Sequence, residues 1–208
     1  MAYYPLNVDL NGRKCVVIGG GAVAERKVEM LREFGAVVVV ISPELAPSLK
    51  SLAANEQIVY IPGAYRPGML DGAFLVIAAT DDNDTNRVVS ADAQEKNIPV
   101  NVVDDPDLCT FFVPAVVKRG DLTISVSTSG KSPALARRIR EKLETDFGPE
   151  YGELADLMGE LRNEVKARYE NPTDRHSAYQ RILNSSVLGL LAQGKRDEAK
   201  ARARKCIL

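Results

Sequence analysis

The stretch from Ile18 to Ala24 carries the strongest chemical signal in this sequence. It contains Gly19-x-Gly21-x-x-Ala24, directly after a β-branched run and directly before a helical pattern, which is the context that dinucleotide binding requires. Gly19 permits a tight turn, Gly21 lets the backbone approach a pyrophosphate, and Ala24 allows close packing of helix on strand. Free N–H groups at the start of the helix attract the diphosphate. The same glycines could also form only a tight strand-to-helix link.

The segment Ser42-Pro43-Glu44, at the end of the second predicted strand, would border the same ligand. NAD sites often place Asp or Glu about 20 residues after the glycine turn, where it binds the ribose hydroxyls. Here Ser42 offers one hydroxyl, Glu44 lies slightly late, and no arginine stands at this point to bind a 2′-phosphate. We therefore expect NAD rather than NADP.

Two further polar segments follow apolar runs. Thr80-Asp81-Asp82 comes after Phe74–Ala79, and it could contact the cofactor, cap the next helix, or do both. Asp104 comes after Pro99–Val103, at the edge where an open α/β sheet binds ligands. Its carboxylate could act as a base, with Asp105 and Asp107 as neighbouring candidates, or Asp104-Asp105-Pro106 could be only a turn.

The sequence pattern in the first half of the chain predicts the strands and helices that position these residues. Short β-branched runs alternate with helical spacing such as that of Ala24, Val28 and Leu31. Such runs are typical of parallel strands buried on both faces. The alternation predicts an α/β fold with a Rossmann-like doubly wound parallel sheet. The predicted strands are Cys15–Ile18, Val37–Ile41, Ile58–Ile61, Phe74–Ala79 and Pro99–Val103.

The second half has a different pattern. Phe111–Val117 and Leu122–Ser127 predict a hairpin, and Ser132-Pro133 predicts the start of a helix near Ala134–Thr145. The sequence from Phe147 onward is helical in character. We therefore expect an NAD-binding Rossmann domain (1–113), a small α+β segment for dimerisation or substrate binding (114–146), and a helical C-terminal domain (147–208).

Composition narrows the class of protein. The formal net charge of −1 points to neither nucleic acid nor a membrane surface, and no run approaches the roughly 20 apolar residues of a membrane span. The N-terminus lacks the pattern of a signal peptide. The three cysteines are widely spaced and His176 is the only histidine, so we expect neither a disulfide framework nor a metal site. A cytoplasmic protein with reduced thiols is the expectation.

Four ordered motifs together resemble the precorrin-2 dehydrogenase family, the unit also found at the N-terminus of bifunctional and trifunctional sirohaem synthases. The likeness covers about the first 145 residues well, and the helical tail only in general character. The motifs are Gly19–Lys27, Ala79–Asp82, Asn101–Asp104 and Ser129–Arg137.

The resemblance implies a homodimer that oxidises precorrin-2 to sirohydrochlorin with NAD, for sirohaem or cobalamin synthesis. Some members of the family also insert ferrous iron. It implies a catalytic function for Asp104 and cofactor contacts by Ala22, Val23, Pro43 and Glu44. Because the sequence ends at Leu208, we expect a separate uroporphyrinogen methyltransferase upstream.

The implied substrate carries eight carboxylates, so a surface rich in cationic and hydrogen-bond donor groups is expected. The segment from Ser127 to Ser132 offers hydroxyls, one ammonium and a helix N-terminus. The predicted substrate contacts are Ser127, Thr128, Ser129, Lys131 and Ser132. Arg137 is interpreted as part of a solvated face, paired with Glu141. His176 could assist iron insertion or be an ordinary surface residue.

Two other functions remain open at this point. Rossmann folds also serve non-enzymatic NAD sensors, and fold alone does not settle function. A dedicated ferrochelatase would need no cofactor, although the intact glycines at 19 and 21 argue against it.

Overall fold

The computed structural model describes residues 3–208, which form two compact units divided between Val113 and Pro114. The further division of the second unit at residue 147 stays a prediction. Among residues 3–208, no helix is both long enough and apolar enough to cross a membrane.

The first unit is built on one sheet of five parallel strands in the order β3-β2-β1-β4-β5. Helices α1 and α2 pack on one face of this sheet and α3 packs on the other, which confirms the doubly wound Rossmann-like fold. The strands are β1 (Lys14–Ile18), β2 (Val37–Ser42), β3 (Val59–Pro62), β4 (Leu75–Ala78) and β5 (Val100–Val102), and the helices are α1 (Ala22–Glu33), α2 (Pro47–Ala54) and α3 (Asn83–Glu95).

The side chains of β1 show why this sheet forms. Cys15 and Val17 pack in the core on one face, and Val16 and Ile18 pack in the core on the other. All four are essentially inaccessible to solvent, as expected for a parallel strand covered on both sides. Strands β2 and β3 lie on one side of β1, whereas β4 and β5 lie on its other side. Ligands of open α/β sheets bind beyond the carboxyl ends of the strands where the strand order changes side in this way, which here is between β1 and β4.

The second unit begins with an antiparallel hairpin, followed by helices. Strand β6 pairs with β7 up to Arg119 opposite Leu122, so Gly120 and Asp121 form the turn. Gly120 has a φ of 57°, the left-handed conformation that two-residue hairpin turns favour. The elements are β6 (Ala115–Arg119), β7 (Leu122–Val126), α4 (Pro133–Asp146), α5 (Pro149–Glu160), α6 (Arg162–Arg168), α7 (Pro172–Leu183), α8 (Val187–Ala192) and α9 (Arg196–Ile207).

One predicted strand was wrong over its first residues. The prediction Phe111–Val117 included residues 111–114, but β6 begins only at Ala115. The backbone just before β6 forms hydrogen bonds with β5 instead. The Thr110 N–H donates to the Val100 carbonyl at 2.8 Å, and the Phe111 N–H approaches the same oxygen at 3.4 Å. The backbone at Thr110 and Phe111 therefore contacts β5 of the first sheet instead of extending β6.

Candidate functional site

Gly19 directly follows β1 and has a conformation that only glycine adopts readily. Its φ is 118°, and its N–H donates to the Ile41 carbonyl of β2 at 2.9 Å. A Cβ at this position would lie 2.2 Å from the Ala79 carbonyl oxygen. The tight turn predicted here is therefore required both by the backbone angle and by the close approach of the chain after β4.

Gly20 is also required, although the sequence reasoning did not single it out. A Cβ here would lie 2.0 Å from the Glu44 carbonyl oxygen and 2.8 Å from the Ser42 hydroxyl. The Gly20 carbonyl accepts from the Ala46 N–H at 2.7 Å. The middle one of three consecutive glycines thus joins the turn to the end of β2.

Gly21 differs from both neighbours because the protein leaves space there. Its φ of −86° is accessible to any residue, and an added Cβ would meet nothing within 4 Å. Gly21 is also the N-cap of α1, with no side-chain cap, and the first helical bond runs from the Glu25 N–H to the Gly21 carbonyl at 3.0 Å. The N–H groups of Ala22, Val23 and Ala24 therefore have no carbonyl acceptor within the helix.

This opening fits a diphosphate. A helix N-terminus bordered by backbone alone presents N–H donors and a positive dipole end to an anion. Ala22 is exposed and Val23 half-buried, while Ala24 is fully buried against the sheet, as predicted for the residue that allows close packing. A dinucleotide is the class of ligand whose diphosphate such a turn binds.

The end of β2 forms a firm loop beside the turn. The Ser42 hydroxyl donates its one hydrogen to the Glu44 carbonyl at 2.7 Å, so its donor is already bonded within the loop. The Tyr60 hydroxyl lies 3.0 Å from the Ser42 carbonyl and 3.2 Å from the Pro43 carbonyl. Pro43 and Glu44 are exposed. Sequence reasoning missed Tyr60, because Tyr60 and Pro43 are 17 residues apart in the chain.

The segment after β4 caps a helix. Asp82 is the N-cap of α3 and accepts from the Asp84 N–H at 3.1 Å and from the Thr85 hydroxyl at 2.5 Å, so the capping alternative holds for this segment. The Thr80 hydroxyl lies 2.8 Å from the Asn86 amide oxygen. Asp81 is exposed. Cofactor contacts by Thr80 and Asp81 stay predictions.

Asp104 lies two residues beyond β5 and has an unusual backbone. Its φ is 60°, a left-handed conformation that costs a residue with a side chain roughly 1–2 kcal/mol. The residue before it is still held to the sheet, because the Val103 N–H donates to the Ala78 carbonyl at 2.9 Å. Asp104 is exposed, Asp105 is half-buried, and Asp107 is exposed within the following 3₁₀ helix, Pro106–Leu108.

Lys27 on α1 is a second candidate that sequence reasoning missed. It is half-buried. Burial and the neighbouring Arg26 lower the pKa of Lys27, whereas the negative charge of Asp104 opposes that shift. The Lys27 ammonium therefore lies within the electrostatic field of Asp104. The available signal was its position one residue before Val28, close to the buried stripe of α1.

The predicted substrate loop belongs to the second unit and is organised by its own hydroxyls. The Ser127 hydroxyl accepts from the Ser129 N–H at 3.1 Å, and the Thr128 hydroxyl accepts from the Ser132 N–H at 3.0 Å. Ser132 caps α4 by accepting from the Leu135 N–H at 3.3 Å, as predicted. Ser129 has a φ of 52°, and Lys131 is exposed.

Two other predicted surface features can be placed in the second unit. Arg137 pairs with Glu141 at 2.8 Å on a solvated face of α4, as predicted. His176 is exposed on α7. Within residues 3–208, no group of three or more His, Cys, Asp or Glu side chains is arranged to hold a metal ion.

Sequence comparisons agree with this geometry. Residues 6–115 match the family described as "Putative NAD(P)-binding", residues 119–145 match "Sirohaem biosynthesis protein central", and residues 150–207 match "Sirohaem synthase dimerisation region". The chain belongs to the NAD(P)-binding family found in sirohaem synthases.

Curated relatives in this family are longer than the chain. It is 43% identical to the sirohaem synthase of Methylobacillus flagellatus over all 208 residues, which make up 44% of that relative. It is 42% identical to the sirohaem synthase of Thioalkalivibrio sulfidiphilus, where the match covers all of this chain and 42% of the relative. The chain therefore spans less than half the length of these relatives.

A solved structure matches almost the whole chain. The protein named "SirC, precorrin-2 dehydrogenase" is 25% identical, with a TM-score of 0.76, and the match covers 98% of this chain and 100% of that one. Both units of the chain thus have counterparts in a single solved member.

Proposed function

We propose that this chain is a precorrin-2 dehydrogenase, which uses NAD to oxidise precorrin-2 to sirohydrochlorin on the route to sirohaem. The observation that carries this proposal is the likeness to the solved precorrin-2 dehydrogenase, which extends over the whole of that protein. The names of the relatives, sirohaem synthases, support the same route.

The open space at Gly21 supports cofactor use rather than a vestigial turn. Gly19 and Gly20 are required by protein atoms at 2.2 Å and 2.0 Å, but no protein atom explains a glycine at position 21. A diphosphate bound against this backbone does explain it. The end of β2 carries no arginine for a 2′-phosphate, which favours NAD over NADP.

The reaction removes one hydride and one proton from the reduced tetrapyrrole. NAD, when bound, supplies the hydride acceptor. Asp104 supplies a carboxylate that can accept the proton, and its backbone is anchored through Val103 to β4.

The remaining assignments complete the proposal. The hydroxyls and the ammonium from Ser127 to Ser132 bind substrate carboxylates, to which charged and neutral donors both bond well. The chain acts as a homodimer in the cytoplasm, in keeping with the match to a dimerisation region. A uroporphyrinogen methyltransferase supplies precorrin-2.

The direct test is anaerobic incubation of the purified protein with precorrin-2 and NAD. We expect sirohydrochlorin and NADH in equal amounts, followed by absorbance. Omitting NAD controls for spontaneous oxidation of the substrate. A protein that binds NAD but forms no product would support the sensor interpretation and reject the enzyme.

Asp104→Asn tests the proposed base. Asparagine tolerates the left-handed conformation and preserves the side-chain shape, but its amide cannot accept the proton. We expect turnover to fall at least roughly a hundredfold, with NAD affinity unchanged. Asp107→Asn, an exposed change in the same loop, is the control. Near-normal turnover in Asp104→Asn would make this aspartate structural.

A further inference from the structure

The connection after β5 returns to the outer edge of that strand and closes it with side chains. β5 is an edge strand, so its outward N–H and C=O groups lack a neighbouring strand. The Thr110 hydroxyl accepts from the Val100 N–H at 2.8 Å. The Cys109 thiol accepts from the Val102 N–H and reaches the Val102 carbonyl, both at 3.2 Å. Cys109 and Thr110 thus replace a sixth strand.

The same thiol also closes the loop that contains Asp104. Its sulfur lies 3.2 Å from the Asp105 carbonyl oxygen. On the other side, the Val103 N–H is bonded to Ala78 of β4. Asp104 therefore has an anchored residue before it and an anchored residue after it, and such anchors are what a side chain at a φ of 60° requires.

Asn101 supports the thiol from within the strand. Its side chain is buried, and its amide donates to the Phe111 carbonyl at 3.1 Å and contacts the Cys109 sulfur at 3.6 Å. Burial raises the pKa of Cys109 against the effect of the Val102 N–H, so the thiol keeps its proton near neutral pH. A protonated thiol can donate to a carbonyl, whereas a thiolate cannot.

We propose that Cys109, supported by Asn101, is a positioning residue for the dehydrogenase reaction, which holds the Asp104 carboxylate at the edge of the sheet through the Asp105 carbonyl. This inference rests on the proposed function for its effect on turnover, but not for its effect on the loop. Cys109 acts through Asp104 and not on the substrate. A displacement of a reacting group by about 1 Å can cost a hundredfold in rate.

The experiment compares three variants of the full chain. Cys109→Ala removes all contacts of the thiol, Cys109→Ser keeps one donor and one acceptor, and Cys206→Ala removes another half-buried thiol from the second unit. Turnover, NAD affinity and thermal unfolding are measured for each. Hydrogen exchange of the amides from 101 to 105 is measured without substrate or cofactor.

We expect Cys109→Ala to lower kcat roughly tenfold or more, with NAD affinity unchanged. The Val102 amide should exchange faster, because it loses its acceptor. Cys109→Ser should recover most of both properties, and Cys206→Ala should match the wild type. A core defect without positioning would lower thermal stability but leave kcat unchanged in folded protein.

Hydrogen exchange separates failure of this inference from failure of the proposed function. Unchanged exchange of Val102 and its neighbours in Cys109→Ala would overturn the inference, whatever the turnover. Unchanged kcat in Cys109→Ala, with an active wild type, would overturn it too. An inactive wild type would reject the dehydrogenase while the exchange result still decided whether Cys109 holds the loop.

Discussion

Gly19 and Gly21 lie two residues apart, and different surroundings require a glycine at each. Gly19 has a left-handed backbone and a carbonyl oxygen 2.2 Å from where a Cβ would lie. Gly21 has an ordinary backbone and open space. A substitution at 19 therefore acts on folding, whereas one at 21 acts on whatever occupies the space.

Gly21→Asp should abolish NAD binding while the protein stays folded. Aspartate is a favoured N-cap, so α1 should not lose stability, but its carboxylate would repel the diphosphate. We expect the Kd for NADH, measured by fluorescence titration, to rise at least roughly a hundredfold (about 2.7 kcal/mol).

Two matched variants make this test specific. Gly21→Ala adds the Cβ without the charge and should keep the fold, with a smaller loss of affinity. Gly19→Ala should lower the free energy of unfolding by about 2 kcal/mol or more, because the Ala79 carbonyl must move. Unchanged NADH affinity in Gly21→Asp would mean that the cofactor does not bind at this turn.

At the scale of elements, the caps fix the residues at which helices begin. Asp82 caps α3 through bonds from Asp84 and Thr85, and Ser132 caps α4 through Leu135. The cap at Ser132 had been predicted and the cap at Asp82 was one of two alternatives left open, because a capping side chain bonds within three residues of itself.

Capping by Asp82 should make the stability of the first unit depend on pH. The Thr85 hydroxyl and the Asp84 N–H lower the pKa of Asp82 below its ordinary value of 3.8. Its stabilisation is therefore complete above that value and is lost as the pH falls through the lower folded-state pKa. We expect the melting temperature to fall on acidification by more in the wild type than in Asp82→Asn.

Asp82→Asn is the suitable comparison because asparagine also caps helices but does not titrate. The measurement is thermal unfolding by circular dichroism between neutral pH and about pH 3. Other carboxylates titrate equally in both proteins, so only the difference between them reports on Asp82. Parallel curves for the two proteins would contradict this prediction.

At the scale of the whole molecule, each unit has its own core. The sheet separates two apolar clusters in the first unit, and a third cluster forms among α5 to α9 in the second. Ile182 is fully buried in this third cluster, whereas its neighbour Leu183 is 47% exposed.

Ile182→Ala should lower the free energy of unfolding by roughly 2–5 kcal/mol, because it leaves a cavity. Leu183→Ala should change it by less than about 0.5 kcal/mol. Both variants should bind NADH normally while folded, since the glycine turn draws its core from other residues. Chemical denaturation and fluorescence titration measure the two quantities. Lost NADH affinity in folded Ile182→Ala would contradict independent cores.

The sequence by itself determined the α/β alternation, the glycine turn and the helix caps. These features depend on residues close together in the chain, where spacing and side-chain type suffice. It also predicted five strands of one parallel sheet, because buried strands are apolar on both faces. It failed at residues 111–114, which precede β6, because the Phe111 N–H approaches the Val100 carbonyl of β5 instead.

Only the tertiary structure decided which distant groups meet at the crevice. Four such relations join separate parts of the chain. They are the contacts of Gly20 with Glu44, of Tyr60 with Pro43 and of Cys109 with Val102, and the effect of the Asp104 charge on the pKa of Lys27. Their positions follow from strand order and from the packing of helices on the sheet, which no local pattern contains. Periodicity determines which face of an element is buried, whereas the assembled fold determines what that face meets.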